Sequence, residues 1–180
     1  CPSLQGCGVV VGGRAGVAPL GSVVQAMTTI STGGYSTSDS SVGHFDSWTI
    51  DFIITAGMIV GSLPFLLFVQ VVRGKPLALW HDEQVRGFLG IAASIIFVVT
   101  VLLWLETGMN PLDALRYAAF NIVSVMTGTG FVIDDYGLWG SFALPIFFFT
   151  TFIGGCAGST TCGIKVFRFQ VLYAAARMQV

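Results

Sequence analysis

An apolar stretch over residues 87–105 carries no charged side chain. A helix needs about 20 such residues to cross the hydrocarbon core of a bilayer. Residues 47–72 form a second stretch of sufficient length, although it contains Asp51 near its start and Pro64 in its second half. Proline is tolerated in membrane helices, where it often causes a kink. The sequence therefore predicts two spans of an integral membrane protein that lies in a lipid bilayer.

The composition agrees with this prediction. Charged residues make up 9% of the chain and the mean hydropathy is +0.82, whereas soluble domains carry about 25% charged residues. The net charge of −1 argues against a nucleic-acid partner. No C-x-x-C pair is present, and we interpret the cysteines as incidental: Cys1, Cys7, Cys156 and Cys162.

The loop at 73–86 is the most charged part of the chain and lies between the two spans. It carries Arg73, Lys75 and Arg86, whereas the opposite side is mainly acidic, with Arg116 as the exception. Lys and Arg mark the cytoplasmic side of a membrane. The 73–86 loop is therefore predicted to be cytoplasmic.

Charged residues also lie within or beside the apolar segments. Asp51 and Asp113 are close to the predicted outer interface, where we expect them to cap a helix or anchor it. Arg168 is expected to reach toward the cytoplasmic interface, and the role of Lys165 is left open at this point.

Two polar stretches interrupt the apolar chain at related places. The first polar stretch is STGGYS at 31–36, and the second polar stretch is TGTGFV at 127–132. When Gly34 is placed on Gly130, a shift of 96 positions, both units read Pro-Leu, short amphipathic helix, polar stretch, aromatic residue, acidic loop and membrane span. Internal repeats of this kind are common in transporters. The predicted fold is an all-α polytopic membrane protein with repeated helix–pore-loop–helix units and re-entrant half-helices.

A half-length helix followed by extended backbone is suited to binding a cation. The helix C-terminus carries roughly half a negative charge, and the residues after it can direct carbonyl oxygens at a common axis. The letters TGGY at 32–35 closely follow the T-V-G-Y of potassium-channel filters, and GTGF at 128–131 follows it loosely. Ordinary polar loops are the alternative, which the repetition within a membrane chain disfavours. The backbone carbonyl groups of the two polar stretches are therefore candidate cation ligands.

The apolar segment at 141–153 stops at a glycine-rich stretch and resumes after it. Non-helical backbone within a membrane must be buried by protein or line a water-filled cavity. We therefore interpret this stretch as a pore-facing break that acts as a gate, with a helix-packing patch of small residues as the alternative. A phosphate-binding loop is disfavoured because Ile164 precedes Lys165 and no hydroxyl residue follows. The candidate gate residues are Gly154, Gly155, Gly158, Ser159, Thr160 and Gly163.

Three motifs together resemble the membrane subunit of Trk-type potassium uptake systems, within the Trk/Ktr/HKT superfamily. They are AMTTISTGGYSTSDSSVGHFDS at 26–47, SVMTGTGF at 124–131 and FIGGCAGSTTCGIKVFR at 152–168, and the resemblance covers roughly residues 18–180. It implies four repeats of helix, pore loop and helix around one pore, of which this chain holds the second and third. It also implies that Gly34 and Gly130 are the filter glycines and that 154–163 is the gate loop of the third repeat. By the same resemblance, potassium is held by the backbone carbonyls of Thr32, Gly33, Gly34, Gly128, Thr129 and Gly130.

The resemblance further implies a homodimer in the cell inner membrane, with potassium as the transported ion and no cofactor. A peripheral cytoplasmic nucleotide-binding regulatory subunit would dock on the side of the 73–86 loop. By this reading 1–180 is a single membrane domain fragment, with a partial repeat at 18–72, the cytoplasmic loop at 73–86 and a second repeat at 87–180. The first and fourth repeats of the parent chain are missing, and residues 1–17 are attributed to a sequencing or frame artefact.

The main functional hypothesis is potassium uptake through a carbonyl-lined filter that is gated by an intramembrane loop. Two of four filter loops cannot enclose an ion, so this segment alone is not expected to conduct. The first alternative is a truncated, non-conducting assembly or regulatory protein of the same family. A membrane enzyme is disfavoured because His44 and His81 lie on opposite sides of the predicted topology, and neither G-x-S-x-G nor H-E-x-x-H occurs.

Overall fold

The computed structural model describes residues 19–36, 41–42, 48–74, 80 and 82–179. Within these residues the chain is all-α, as predicted, with a short 3-10 turn at Tyr136–Leu138. The expectations for residues 1–18, for 75–79 of the 73–86 loop, and for His44 and His81 fall outside the described residues. The helices are α1 (Pro19–Ile30), α2 (Trp48–Gly61), α3 (Phe65–Val72), α4 (Glu83–Thr107), α5 (Pro111–Thr127), α6 (Ala143–Phe152) and α7 (Val166–Gln179).

Helix α4 has 25 residues. Among the described helices, it alone is long and apolar enough to cross a membrane by itself. Its start is fixed by Asp82, whose side chain accepts hydrogen bonds from the backbone of Gln84 and Val85 at 2.9 and 3.2 Å. Its end is marked by Gly108, which has a left-handed backbone with φ of 65°. The predicted span at 87–105 is confirmed.

The predicted kinked span at 47–72 is instead a broken pair of helices. Helix α2 ends at Gly61, and α3 starts at Phe65 with its axis turned by 97°. Pro64 has no N–H for a helical hydrogen bond, and its ring disfavours helical backbone at the preceding residue. These local effects end α2 and free the backbone carbonyls of its last turn from helical hydrogen bonds.

Helix α5 lies at the centre of the described structure and packs against α2, α4 and α6. Pro111 occupies its first turn, and Gly128, with φ of +73°, ends it close to the predicted position. One buried cluster joins α5 to α4 and α6, and it includes Val99, Leu103, Ala114, Ala118, Ile122, Ala143 and Phe147. A second cluster joins α5 to α2, and it includes Ile50, Ile54, Met58, Phe120, Val123 and Phe131.

The outer surface of the helices is apolar and aromatic. Phe97 on α4 is 69% exposed, and Phe148 and Phe149 on α6 are 60% and 67% exposed. Soluble monomers rarely expose contiguous apolar patches larger than a few hundred Å². Such faces are suited to lipid, in agreement with the predicted membrane location.

The break predicted after residue 153 is present between α6 and α7. Ile153 and Ile164 form an isolated parallel bridge that closes the non-helical segment at its base. We call the segment between them the 154–163 loop.

Candidate functional site

The two polar stretches have the same backbone conformation. Thr32 and Gly34 have φ of +50° and +67°, and their counterparts after the 96-residue shift, Gly128 and Gly130, have φ of +73° and +81°. The residue between each pair does not have a positive φ. Alternation of left- and right-handed residues turns successive carbonyl groups to one side of the chain, which is the arrangement that a row of carbonyl ligands requires.

The backbone hydrogen bonds of the two stretches match as well. Gly33 N donates to Thr28 O at 2.9 Å, and the equivalent Thr129 N donates to Ser124 O at 3.0 Å. Both bonds reach back to the last turn of the preceding helix, α1 or α5. Each stretch is therefore fastened to its helix in the same way, and the sequence repeat is a structural repeat.

A hydroxyl group on each helix also holds the far end of its stretch. Ser124 Oγ donates to Phe131 O at 2.6 Å, and the Thr28 hydroxyl shares its proton between Tyr35 O at 3.0 Å and Val24 O of its own helix at 2.8 Å. These two carbonyls are thus turned back toward their helices. By contrast, no described residue donates a hydrogen bond to the carbonyl oxygens at 32–34 or 128–130. The carbonyls predicted as ligands thus differ from those of Tyr35 and Phe131, because they have no hydrogen-bond donor among the described residues.

The fold brings the two polar stretches side by side. A Cβ atom added to Gly34 would overlap the carbonyl oxygen of Thr129. Farther along, Val132 N donates to Ser41 Oγ at 3.2 Å. The close approach explains why glycine is needed at position 34, in addition to its left-handed backbone.

The 154–163 loop lies against both polar stretches. Thr32 Oγ1 donates to Thr160 O at 3.1 Å, and Thr160 Oγ1 in turn donates to Ile30 O at 3.3 Å. On the other side, a Cβ atom added to Gly128 would lie 3.3 Å from the Cβ of Cys162. The loop therefore contacts the start of each stretch directly.

The same loop is hydrogen-bonded to the break between α2 and α3. Cys156 N donates to Ser62 O at 3.2 Å, and Thr160 N donates to Gly61 O at 3.4 Å. In the reverse direction, Phe65 N donates to Gly158 O at 3.1 Å. Two interrupted helices thus supply partners for each other's freed backbone groups, as a low-dielectric environment requires.

The glycines of the loop allow it to fold tightly on itself. Gly154 N donates to Ile164 O at 2.9 Å, and a Cβ atom on Gly154 would overlap the carbonyl oxygen of Cys162. Gly158 and Gly163 have left-handed backbones, with φ of +79° and +86°. Gly155 N donates to the Thr161 hydroxyl at 3.1 Å. All four glycines therefore contribute to the backbone conformation of the loop itself.

Two side chains that the sequence motifs did not indicate hold the 154–163 loop in place. Lys165 Nζ donates to Ser159 O at 3.2 Å, and Gln84 Oε1 accepts from Ala157 N at 3.1 Å. Gln84 lies in the first turn of α4, at the predicted cytoplasmic end. The sequence motifs also did not identify Gly61 and Ser62 as hydrogen-bond partners of the loop. A glycine–serine pair shortly before Pro64 in an apolar span could have indicated a break in the helix there.

Asp51 forms a buried ion pair with Arg116. Of the two roles expected for it, capping a helix or anchoring one, it serves as an anchor. The distance from Arg116 Nη2 to Asp51 Oδ2 is 2.6 Å, and the side chains are 8% and 4% exposed, respectively. The guanidinium carbon also lies 5.3 Å from the centre of the Trp48 ring and 5.5 Å from that of Tyr117. The pair fastens the first turn of α2 to α5.

Known proteins match nearly the whole chain. The family model described as TrkH, cation transport protein, matches residues 11–180. The chain is 41% identical to the Trk system potassium uptake protein TrkI of Halomonas elongata, over 92% of this chain and 34% of that protein. It is 35% identical to the Trk system potassium uptake protein TrkH of Salmonella typhimurium, over 88% of this chain and 33% of that protein.

A solved structure matches the fold. The crystal structure of the potassium transporter TrkH from Vibrio parahaemolyticus aligns with a TM-score of 0.92 and 32% sequence identity, over 98% of this chain and 39% of that one. The chain therefore spans about a third of the length of the curated relatives that it matches.

Proposed function

The chain belongs to the TrkH cation transport family, and we propose that it forms two of the filter loops through which the full-length protein takes up potassium. Relatives at 41% and 35% identity are named as potassium uptake proteins. Because the chain spans about a third of those relatives, two further repeats would complete the ring around the ion. The protein lies in the cell inner membrane.

One observation carries this proposal. The carbonyl oxygens at 32–34 and 128–130 accept no hydrogen bond from any residue that the structure describes, while the carbonyls of Tyr35 and Phe131 are both engaged. Each set follows the C-terminus of a helix, whose partial negative charge favours a cation. The ligands for potassium are then the carbonyls of Thr32, Gly33, Gly34, Gly128, Thr129 and Gly130, which replace the hydration shell of the ion.

The 154–163 loop is the gate in this proposal. Its contacts with Thr32 and Gly128 lie at the inner end of each filter loop, where a segment of backbone would obstruct the ion path. Opening requires the loop to leave its hydrogen-bond partners at Gly61 and Ser62. The alternative is that its glycines serve only helix packing.

The partners follow from the organisation of the chain. We assign a partial repeat to 18–72, a cytoplasmic loop to 73–86 and the next repeat to 87–180, within a homodimer. A cytoplasmic nucleotide-binding regulatory subunit would act from the side of the 73–86 loop. The hydrogen bond between Gln84 and Ala157 supports this route because it joins the start of α4 to the gate loop. The names of the relatives describe transport, and we propose no enzymatic activity and no cofactor beside the transported ion.

Complementation tests the proposal. The full-length protein that contains this segment is expressed in a strain that lacks potassium uptake, and growth is measured at limiting potassium. We expect growth to be restored, and we expect the same for the control Gly74→Asn, since a Cβ at position 74 would meet no described atom within 4 Å and Asn tolerates the left-handed backbone there. No growth with the protein present in the membrane would overturn the proposal and would favour a non-conducting assembly or regulatory protein of the same family.

A further inference from the structure

A buried carboxamide occupies the same position in both pore helices. The 96-residue shift that aligns the polar stretches also places Gln25 of α1 on Asn121 of α5. Gln25 is 7% exposed and Asn121 is 1% exposed. Each lies three residues before the hydroxyl residue, Thr28 or Ser124, that holds the end of its polar stretch. The repeat thus preserves a polar group behind each stretch.

In the first repeat, the carboxamide begins a chain of hydrogen bonds. Gln25 Nε2 donates to Ser36 Oγ at 3.2 Å, and Ser36 Oγ donates to Ser41 O at 3.3 Å. Ser41 Oγ then accepts from Val132 N at 3.2 Å. Gln25 is therefore connected through Ser36 to the outer end of its own stretch and, by way of Ser41, to the end of the second one.

The second repeat keeps the carboxamide but not the hydroxyl. The counterpart of Ser36 is Val132, which has no side-chain polar atom. Neither amide atom of Asn121 has a hydrogen-bond partner in the described structure. The side chain is nevertheless enclosed by this chain itself, since it is 1% exposed. Buried amides are almost always hydrogen-bonded to protein or to ordered water.

We propose that Gln25 and Asn121 are matched positioning residues for the two filter loops. Gln25 acts through Ser36, and Asn121 acts through a buried water that takes the place of the missing hydroxyl at Val132. Both tethers keep the outer end of a loop in place, and with it the spacing of the carbonyls that bind the ion. A loosened loop can close around a smaller ion, so loss of a tether lowers the preference for potassium over sodium. This inference rests on the proposed function.

Selectivity measurements on the full-length protein test it. Uptake of potassium and of sodium is measured in proteoliposomes for Asn121→Leu, which removes the amide at similar volume, and for Ser36→Ala, which breaks the first tether without touching a pore helix. We expect each to lower the potassium-to-sodium uptake ratio about fivefold, as for the loss of one hydrogen bond. The control Ile122→Val, at a buried apolar position of the same helix, should leave the ratio unchanged.

A double variant distinguishes a positioning role of Asn121 from a role in helix packing alone. Asn121→Gln with Val132→Ser recreates in the second repeat the pair that Gln25 and Ser36 form in the first. We expect its uptake ratio to stay close to that of the unmodified protein. An unchanged ratio in both Asn121→Leu and Ser36→Ala would overturn the inference alone. If Asn121→Leu is absent from the membrane, an unchanged ratio in Ser36→Ala is sufficient to overturn it. No potassium uptake by the unmodified protein would overturn the proposed function, and this inference with it.

Discussion

The hydroxyl group of Thr32 donates a hydrogen bond to the carbonyl oxygen of Thr160, 3.1 Å away. The first residue lies in the first polar stretch and the second lies in the 154–163 loop. Thr32 is also one of two described non-glycine residues with a left-handed backbone, a conformation that costs about 1–2 kcal/mol. The same hydroxyl proton is shared with Ser31 O, 2.8 Å away. The proposed filter and the proposed gate are thus joined by direct contact.

The Thr160→Val variant is expected to raise basal ion flux. It removes the hydrogen bonds that the Thr160 hydroxyl donates to Gly61 O and Ile30 O, at 3.0 and 3.3 Å, and so frees the loop. We expect about a fivefold increase in rubidium uptake. The control is Thr151→Val, because the Thr151 hydroxyl bonds only within its own helix. Deletion of part of 155–162 should raise flux further, and equal or lower flux in an intact protein would mean that the loop serves packing only.

Serine at position 34 should harm selectivity more than serine at position 130. Both glycines are left-handed, so each substitution costs about 1–2 kcal/mol in the backbone. At Gly34 the new Cβ would overlap the carbonyl oxygen of Thr129, whereas at Gly130 it would meet no atom of a described residue within 4 Å. The potassium-to-sodium uptake ratio should fall in both variants and fall furthest in Gly34→Ser. Equal ratios would show that the close approach at Gly34 has no role in selectivity.

The Ser124→Ala variant should release the carbonyl of Phe131. The lost hydrogen bond, 2.6 Å long, is worth about 1 kcal/mol. The freed carbonyl can then turn toward the ion path, so we expect a lower potassium-to-sodium uptake ratio with little change in the amount of protein in the membrane. Ser94→Ala is a suitable control, since the Ser94 hydroxyl is exposed and bonds to its own helix. A ratio equal to that of the control would contradict the role assigned to Ser124.

Loss of one partner of the ion pair should destabilise the fold. Asp51→Asn leaves the buried guanidinium of Arg116 without its carboxylate, at a cost of about 3–5 kcal/mol. Thermal unfolding of the detergent-solubilised protein should show a clear drop in Tm, whereas Glu106→Gln, at an exposed position, should show none. The double variant Asp51→Asn, Arg116→Met should recover part of the loss. A Tm for Asp51→Asn equal to that of Glu106→Gln would rule out a stabilising role for the pair.

Much of the fold could be predicted because its boundaries are set by local chemistry. Pro111 and Gly128 mark the ends of α5 as effectively in the sequence as in the structure. The alignment of Gly34 with Gly130 likewise predicted a repeat, and the two stretches share backbone angles and hydrogen bonds. These features depend on neighbours in the chain, which a sequence displays directly.

The rest depends on contacts between distant segments. Pro64 predicted a kink, but the 97° turn goes with hydrogen bonds from Cys156 and Thr160, about a hundred residues away. The partner of Asp51 was equally hidden, since it is decided by how α2 packs on α5. The burial of Asn121 could not be predicted from its residue type, because asparagine is also common on exposed helix faces.

Hydrogen bonds join the break between α2 and α3 to the 154–163 loop, and they have a consequence for the hydration of the proposed pore. When the 154–163 loop moves, the amides of Cys156 and Thr160 and the carbonyls of Ser62 and Gly61 lose their partners together. In an apolar environment each such group must find a water molecule at once. Under the proposed function, the solvent that satisfies them is the same solvent that fills the conduction path. Hydration of the proposed pore and displacement of the loop would then form one cooperative step, and a dry, open pore would not be a stable state.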